Sequence, residues 1–176
     1  MRAPLSALTP PARISWDARV AQREPKALLL LLTPTCIRAL ESAVVTAVNR
    51  RHQEVTTGHF LLAALADGGS DVARMLGAQA LDVAATQEAL VAALGELPGH
   101  HGGRPSLAPD LLQLIEDAWD ELSWPRMEKR VRSGVMLVQL TRGAARLGEG
   151  PLSSLVQGLA RVIDARSLAT LGRARE

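Results

Sequence analysis

Few side chains in this sequence have the type and spacing that chemistry requires. The single cysteine, Cys36, could act as a nucleophile only with a histidine and an orienting partner beside it. Its place near the start of an amphipathic segment fits a small buried hydrophobe instead. His100-His101 could suggest a metal. Adjacent residues diverge in most backbones, however, and no cysteine or close third ligand accompanies them, so a solvated loop pair is expected and no metal site. His59 stands beside Phe60 at an expected helix start and reads as structural, bonded to a neighbouring turn. Glu116-Asp117 and Asp120-Glu121 lie four residues apart and so share one side of a helix, the usual pattern of a solvated face. Trp119 and Trp124 read as core or rim packing. No Gly-x-x-x-x-Gly-Lys-(Ser/Thr) loop occurs and Lys stands only at positions 26 and 129, so these residues hold no ATPase machinery. No catalytic residue and no cofactor is expected; the function sought is binding.

The elements that would position a binding surface are helical. The 176 residues are 47% hydrophobic and 22% charged, which suits a globular domain with a real core. Aromatic content is 2%, and Ala, Leu, Arg and Glu dominate, a composition that favours helix over strand. The pI of about 9.3 is misleading. Twenty basic residues nearly match eighteen acidic ones, and the net charge of +2 comes without basic patches interleaved with aromatics, so no nucleic acid partner is expected. One cysteine excludes an internal disulfide. The run Ala27–Leu32 before Thr33-Pro34-Thr35-Cys36 is too short for a signal-peptide core, follows a long Pro-containing leader, and puts Pro34 where a small cleavage-site residue is wanted. No stretch approaches the ~20 apolar residues of a membrane span. A soluble, cytoplasmic protein with no membrane partner is expected.

Helix punctuation is frequent. Residues 1–24 carry Pro4, Pro10 and Pro11 without periodicity and read as a flexible leader. Pro25-Lys26 opens a short apolar helix through Leu32. Thr33 is an N-cap with Pro34 at the first helical position, and Ile37, Leu40, Val44 and Val48 form one stripe to about Asn49. Thr57 is expected to cap a second helix containing Phe60, Leu61, Ala64 and Leu65. Ser70 starts a third that stops at Gly77, and Asp82 caps a fourth closed by Gly95 and Pro98. A Gly- and His-rich stretch, Pro98–Pro105, then reads as a loop.

After that loop the pattern restarts. Pro34-Thr35-Cys36-Ile37-Arg38-Ala39-Leu40-Glu41-Ser42-Ala43 aligns without gaps with Pro109-Asp110-Leu111-Leu112-Gln113-Leu114-Ile115-Glu116-Asp117-Ala118. With one extra residue, Val55-Thr56-Thr57-Gly58-His59-Phe60-Leu61-Leu62 matches Val131-Arg132-Ser133-Gly134-Val135-Met136-Leu137-Val138. Two copies of a four-helix unit, each hiding its apolar stripe against the other, predict an all-α, pseudo-two-fold bundle with an extra short N-terminal helix. The expected boundaries are repeat one at about 33–97, a linker at 98–108, repeat two at about 109–170, and a tail at 171–176.

This duplicated pattern, with its Gly-His-Phe-Leu-Leu-Ala helix start at residues 58–63, resembles the Clp N-terminal domain of AAA+ unfoldases. Within that family it is most similar to ClpV, the unfoldase of type VI secretion. The similarity rests on Leu32–Glu41, on Glu96-Leu97-Pro98-Gly99, on Asp117-Ala118-Trp119 followed by Val131-Arg132-Ser133-Gly134, and on the extra helix near Ala27–Leu32. It covers residues 25 to 170. Family members that bind phosphoarginine carry Glu immediately before the His; here Gly58 and Gly134 stand at those places, and a guanidinium would want a carboxylate. Val135 replaces the usual second His.

The resemblance implies a protein-binding module that captures an amphipathic helix near the N-terminus of a sheath protein and recruits contracted sheath to an attached or partner AAA+ ATPase ring. The alternative is a standalone adaptor that binds another protein or a degron. Five successive leucines advance about 100° each and cannot all face one core. Either the last helix (Leu155, Val156, Leu159, Val162) covers the remainder or a guest helix does. The expected groove comprises Leu28, Leu29, Leu32, Thr33, Cys36, Leu111, Leu155 and Leu159, and Leu32→Asp is expected to weaken binding while leaving the fold intact.

Overall fold

The computed structural model describes residues 23–99, 103–123, 130–147 and 149–163. The expected leader and tail therefore lie almost wholly outside the described residues. In chain order the elements are α1 (Pro25–Leu29), α2 (Pro34–Asn49), β1 (Glu54–Val55), α3 (Thr57–Ala66), α4 (Asp71–Ala78) and α5 (Val83–Gly95). They continue with β2 (Ser106–Leu107), α6 (Pro109–Ser123), α7 (Ser133–Arg142), a 3-10 turn (Ala144–Arg146) and α8 (Pro151–Ala160).

Helix starts follow the local chemistry. Thr33 caps α2 by accepting from the Cys36 N–H at 3.4 Å, with Pro34 in the first turn where its missing N–H costs nothing. Ser70 caps α4 by accepting from Ala73 N–H at 3.1 Å, and Asp82 caps α5 by accepting from Ala85 N–H at 3.0 Å. The start of α3 corrects the sequence reading. Thr56 occupies the cap position and Thr57 is the first helical residue. The Thr57 hydroxyl is engaged elsewhere, donating to Asp110 Oδ2 on α6 at 2.9 Å. In the second half Arg132 takes the same cap position and Ser133 the first turn. Two further bounds differ. α1 ends at Leu29 rather than Leu32, because Leu31–Thr33 pair with another segment; α4 continues one residue beyond Gly77.

The two halves are joined reciprocally. β1, which leads into α3, pairs in parallel with β2, which leads into α6, in the register Glu54↔Ser106 and Val55↔Leu107. Leu32, which leads into α2, forms a parallel bridge with Val131, which leads into α7. Each half thus offers the segment before its first helix to the segment before the other's second helix, as a pseudo-two-fold axis requires. The expected linker supplies β2, a strand too short to leave any alternation in the sequence.

α3 and α7 are the central helices. α3 packs on α2, α4, α5 and α6; α7 packs on α4, α6 and α8. Both are buried around much of their circumference, α3 through His59, Phe60, Leu61, Ala64 and Leu65 and α7 through Val135, Met136, Leu137, Val138 and Leu140, so neither shows a narrow apolar stripe. α5 and α8 pack across the junction. Gly58 allows this approach: a Cβ there would stand 3.2 Å from Leu94 Cδ2 on α5 and 3.6 Å from Leu152 Cδ2 on α8. A buried ion pair also ties the halves, with Arg132 reaching Asp71 at 2.8 Å and Arg74 adding a contact at 3.3 Å to the same fully buried carboxylate.

Candidate functional site

The leucine run is resolved as helical geometry demands. Pro25 starts α1 with its fixed φ, and the residues that follow advance about 100° each. Leu28 and Leu32 turn fully inward, Leu29 and Leu31 are half-buried, and Leu30 is 78% exposed. An isolated five-residue helix has no stability of its own in water, so tertiary contacts must hold α1. It packs on α6. Arg23, just ahead of it, approaches Glu116 of α6 at 3.9 Å. Beyond its end, Thr33 N–H donates to Val131 O at 3.0 Å, Val131 N–H donates to Leu31 O at 2.6 Å, and Arg130 donates to the Leu32 carbonyl at 3.2 Å. The result is a short helix clamped at both ends, with the large apolar side chain of its C-cap residue, Leu30, aimed outward.

The helix that packs on α1 is thus α6; α8 packs on α5, α7 and the 3-10 turn. The residues expected to form a groove divide accordingly. Leu28, Leu32, Cys36 and Leu111 are wholly buried, and Thr33 and Leu159 nearly so. Leu29 on α1 and Leu155 on α8 keep partial exposure. Leu30, the most exposed large hydrophobe among the described residues, was not in the expected set. The signal was present in the run itself, but the 100° step does not say which leucine points out. The burial of Leu32 also corrects the expectation for Leu32→Asp: a carboxylate there would enter the core and unfold the domain rather than probe a surface.

The residues considered for chemistry are placed as follows. Cys36 is wholly buried, so its thiol has no access to a substrate. His100 and His101 lie outside the described residues, as does Trp124. Trp119 is half-buried against the core. The acidic run of α6 is only partly a solvated face: Asp120 and Glu121 are exposed, whereas Glu116 is buried beneath α1. Among the described residues no group of three or more His, Cys, Asp or Glu side chains could hold a metal, and no helix is long and apolar enough to cross a membrane.

His59 is structural and more elaborately tied than a single turn contact. Its Nδ1 accepts from Thr56 N–H at 3.1 Å and stands 2.9 Å from the Thr56 hydroxyl, while its Nε2 lies 2.8 Å from Nδ1 of His52. A backbone N–H can only donate, so Nδ1 is the acceptor, Nε2 carries the proton, and His52 Nδ1 receives it. Both rings are neutral in this arrangement. Burial, then the neighbouring His52 and Arg50, lower the pKa of His59 to about 4. Burial and Arg50 lower that of His52.

Comparison with known proteins agrees with this architecture. The family model of the Clp repeat (R) N-terminal domain matches residues 31–148, so α1 lies just ahead of the matched span. Among solved structures, the N-terminal domain of the ClpV1 ATPase of the E. coli EAEC Sci1 type VI secretion system is 30% identical, with a TM-score of 0.73 over 84% of this chain and 86% of that one. The N-domain of ClpV from Vibrio cholerae is 26% identical, with a TM-score of 0.66 over 80% of this chain and 89% of that one. A complex of a ClpV N-domain with a VipB peptide is 28% identical, with a TM-score of 0.69 over 79% and 85%. Comparison with curated protein sequences gives no match.

Proposed function

Because the chain belongs to the Clp repeat N-terminal domain family and stands there with the ClpV N-domains of type VI secretion, we propose that it recognises an amphipathic helix of a sheath protein and recruits contracted sheath to a ClpV-type ATPase for disassembly. The domain is a binding module and not a catalytic one, in keeping with a family whose ClpV member has been seen in complex with a VipB peptide. The observation that carries the reading to a place on the surface is Leu30, held 78% exposed at the C-cap of a helix that packs on α6. A preformed apolar contact of this kind suits a guest helix, which brings its own backbone hydrogen bonds and needs only an apolar stripe. A short helix that buries ~500 Å² of apolar surface gains roughly 12 kcal/mol gross at about 25 cal/mol per Å². Association and ordering offset most of this, which leaves affinity in the micromolar range.

Half-buried Leu29 is the member of the proposed groove that a guest at Leu30 can touch directly, while Leu28, Leu32, Cys36, Leu111 and Thr33 shape it from beneath; Leu155 and Leu159 sit on α8, which packs on α5 and α7 instead. Calorimetric titration with a peptide of the sheath protein's N-terminal helix tests the assignment. Leu30→Asp is expected to weaken binding about tenfold or more with an unchanged melting curve, because the site is on the surface. Equal affinity of variant and parent would remove α1 from the site.

A further inference from the structure

The duplication leaves one half of the domain less covered than the other. α1 lies on α6, where Glu116 is buried and Arg23 approaches its carboxylate at 3.9 Å. The pseudo-two-fold counterpart of α6 is α2, and the register that aligns Pro34 with Pro109 makes Glu41 the counterpart of Glu116. Glu41 is exposed, and α2 packs chiefly on α3 and β1. The cause is local to the chain. In the same register Gly103, Arg104, Pro105 and Ser106 stand where the first half has Leu28–Leu31, and these four residues form no helix. They bring no leucine to bury, so they cannot do for α2 what α1 does for α6.

The uncovered face is apolar. Val45 and Val48, 58% and 52% exposed, follow Leu30 as the most exposed large hydrophobes among the described residues. They stand four and seven residues after Glu41 and so share its side of the helix, with half-buried Val44 at the edge. The counterpart of Val45 on α6 is Asp120, which is also exposed. The half that has its covering helix thus turns a charge outward at this position, and the uncovered half turns out a valine. Arg38, one turn before Glu41, is engaged elsewhere: it donates to the Thr35 hydroxyl at 3.1 Å and approaches Asp67 at 3.6 Å.

We infer that this face of α2 is a docking surface for a short amphipathic helix of a partner protein, with a basic residue one turn before its apolar stripe. The basic residue meets Glu41 as Arg23 meets Glu116, and the stripe covers Val44, Val45 and Val48. The surface is separate from Leu30 and does not rest on the sheath reading. Val45 and Val48 lie about three to four turns along α2 from Thr33, at the end away from α1. The face is small, so an isolated helix is expected to bind with a Kd of about 1 mM. Such a contact gains strength when the same partner chain is held at a second point.

The test is a ¹H–¹⁵N NMR titration of the full chain with a capped peptide, Ala-Arg-Gln-Ala-Leu-Leu-Gln-Ala-Leu-Leu-Gln-Ala, and with its analogue carrying Glu in place of Arg. The arginine peptide is expected to give saturable shifts at the amides of Glu41, Val45 and Val48, and the glutamate peptide to bind about fivefold more weakly. Glu41→Arg is expected to reverse that preference. Val45→Asp is expected to abolish the shift at Val48 with an unchanged melting curve, because the position is on the surface. Leu30→Asp leaves the α2 shifts as they are. Shifts confined to α1, or the same preference in Glu41→Arg as in the parent, overturn the proposal. Loss of the α2 shifts in Leu30→Asp overturns it too, because the face would then belong to the α1 site.

Discussion

Acidification provides a sharp test of the buried histidine pair. His59 is wholly buried, and its Nδ1 faces a backbone N–H that cannot be turned into an acceptor. Protonating that nitrogen sets two donors against each other and places a charge where water cannot reach it. The folded pKa is accordingly lowered from 6.5 to about 4, with burial as the leading cause. Because the folded state refuses a proton that the unfolded chain takes up, this contribution to stability is complete above about pH 6.5 and is lost as the pH falls toward 4. At about 1.4 kcal/mol per pH decade the full loss is about 3 kcal/mol, of which about 2 kcal/mol falls between pH 7 and pH 5. His52, lowered by burial and by Arg50, adds in the same direction. Urea unfolding followed by circular dichroism at pH 7, 6 and 5, at constant ionic strength, measures this directly. His59→Gln supplies the comparison, because Gln three residues after a Thr cap can still accept the Thr56 N–H but does not titrate. A parent protein that loses less than about 0.5 kcal/mol over that interval, or a variant with the same pH slope, would refute the assignment of two neutral, mutually bonded rings.

Two further outcomes follow from single residues. Asp71→Ala strands Arg132, whose side chain is only 16% exposed, and is expected to cost about 3–5 kcal/mol in chemical denaturation. The double change Asp71→Leu with Arg132→Met removes both charges and should recover much of that loss; no recovery would mean the pair is not the cause. Arg51 ends α2 at φ 58°, where His52 N–H closes on Ala47 O at 2.9 Å. Arg51→Gly relieves the left-handed backbone and is expected to stabilise the domain by about 0.5–1 kcal/mol. A lower melting temperature would show that the Arg51 side chain makes contacts that outweigh the relief.

Much of the fold was legible in the sequence because helix starts are local. Pro34 behind Thr33, Ser70 and Asp82 act within one turn, and the structure places caps at Thr33, Ser70 and Asp82. The duplication was legible as well, since a matched Pro, Glu and Gly survive in the two aligned stretches, and it implied that the halves shield each other. The all-helical class followed from these signals together. Even the outward leucine was half visible: a helical step of about 100° makes it impossible for five successive leucines to share one core.

The remainder depended on contacts between residues far apart in the chain. Nothing near Thr57 indicates that its hydroxyl is taken by Asp110, 53 positions on, which moves the cap to Thr56. Gly58 implied that no carboxylate stands at the start of α3, yet the fold brings Asp110 into the cavity above it from the other half. Glu116 read as a surface charge and is buried beneath α1, and nothing local marks Asp71 for the burial that Arg132 of the other half brings. The strands left no trace, since two residues make no alternation. Caps and periodicity act over one or two turns, whereas burial and the choice of partner depend on which helices cross, and so Leu30 rather than Leu32 faces the solvent.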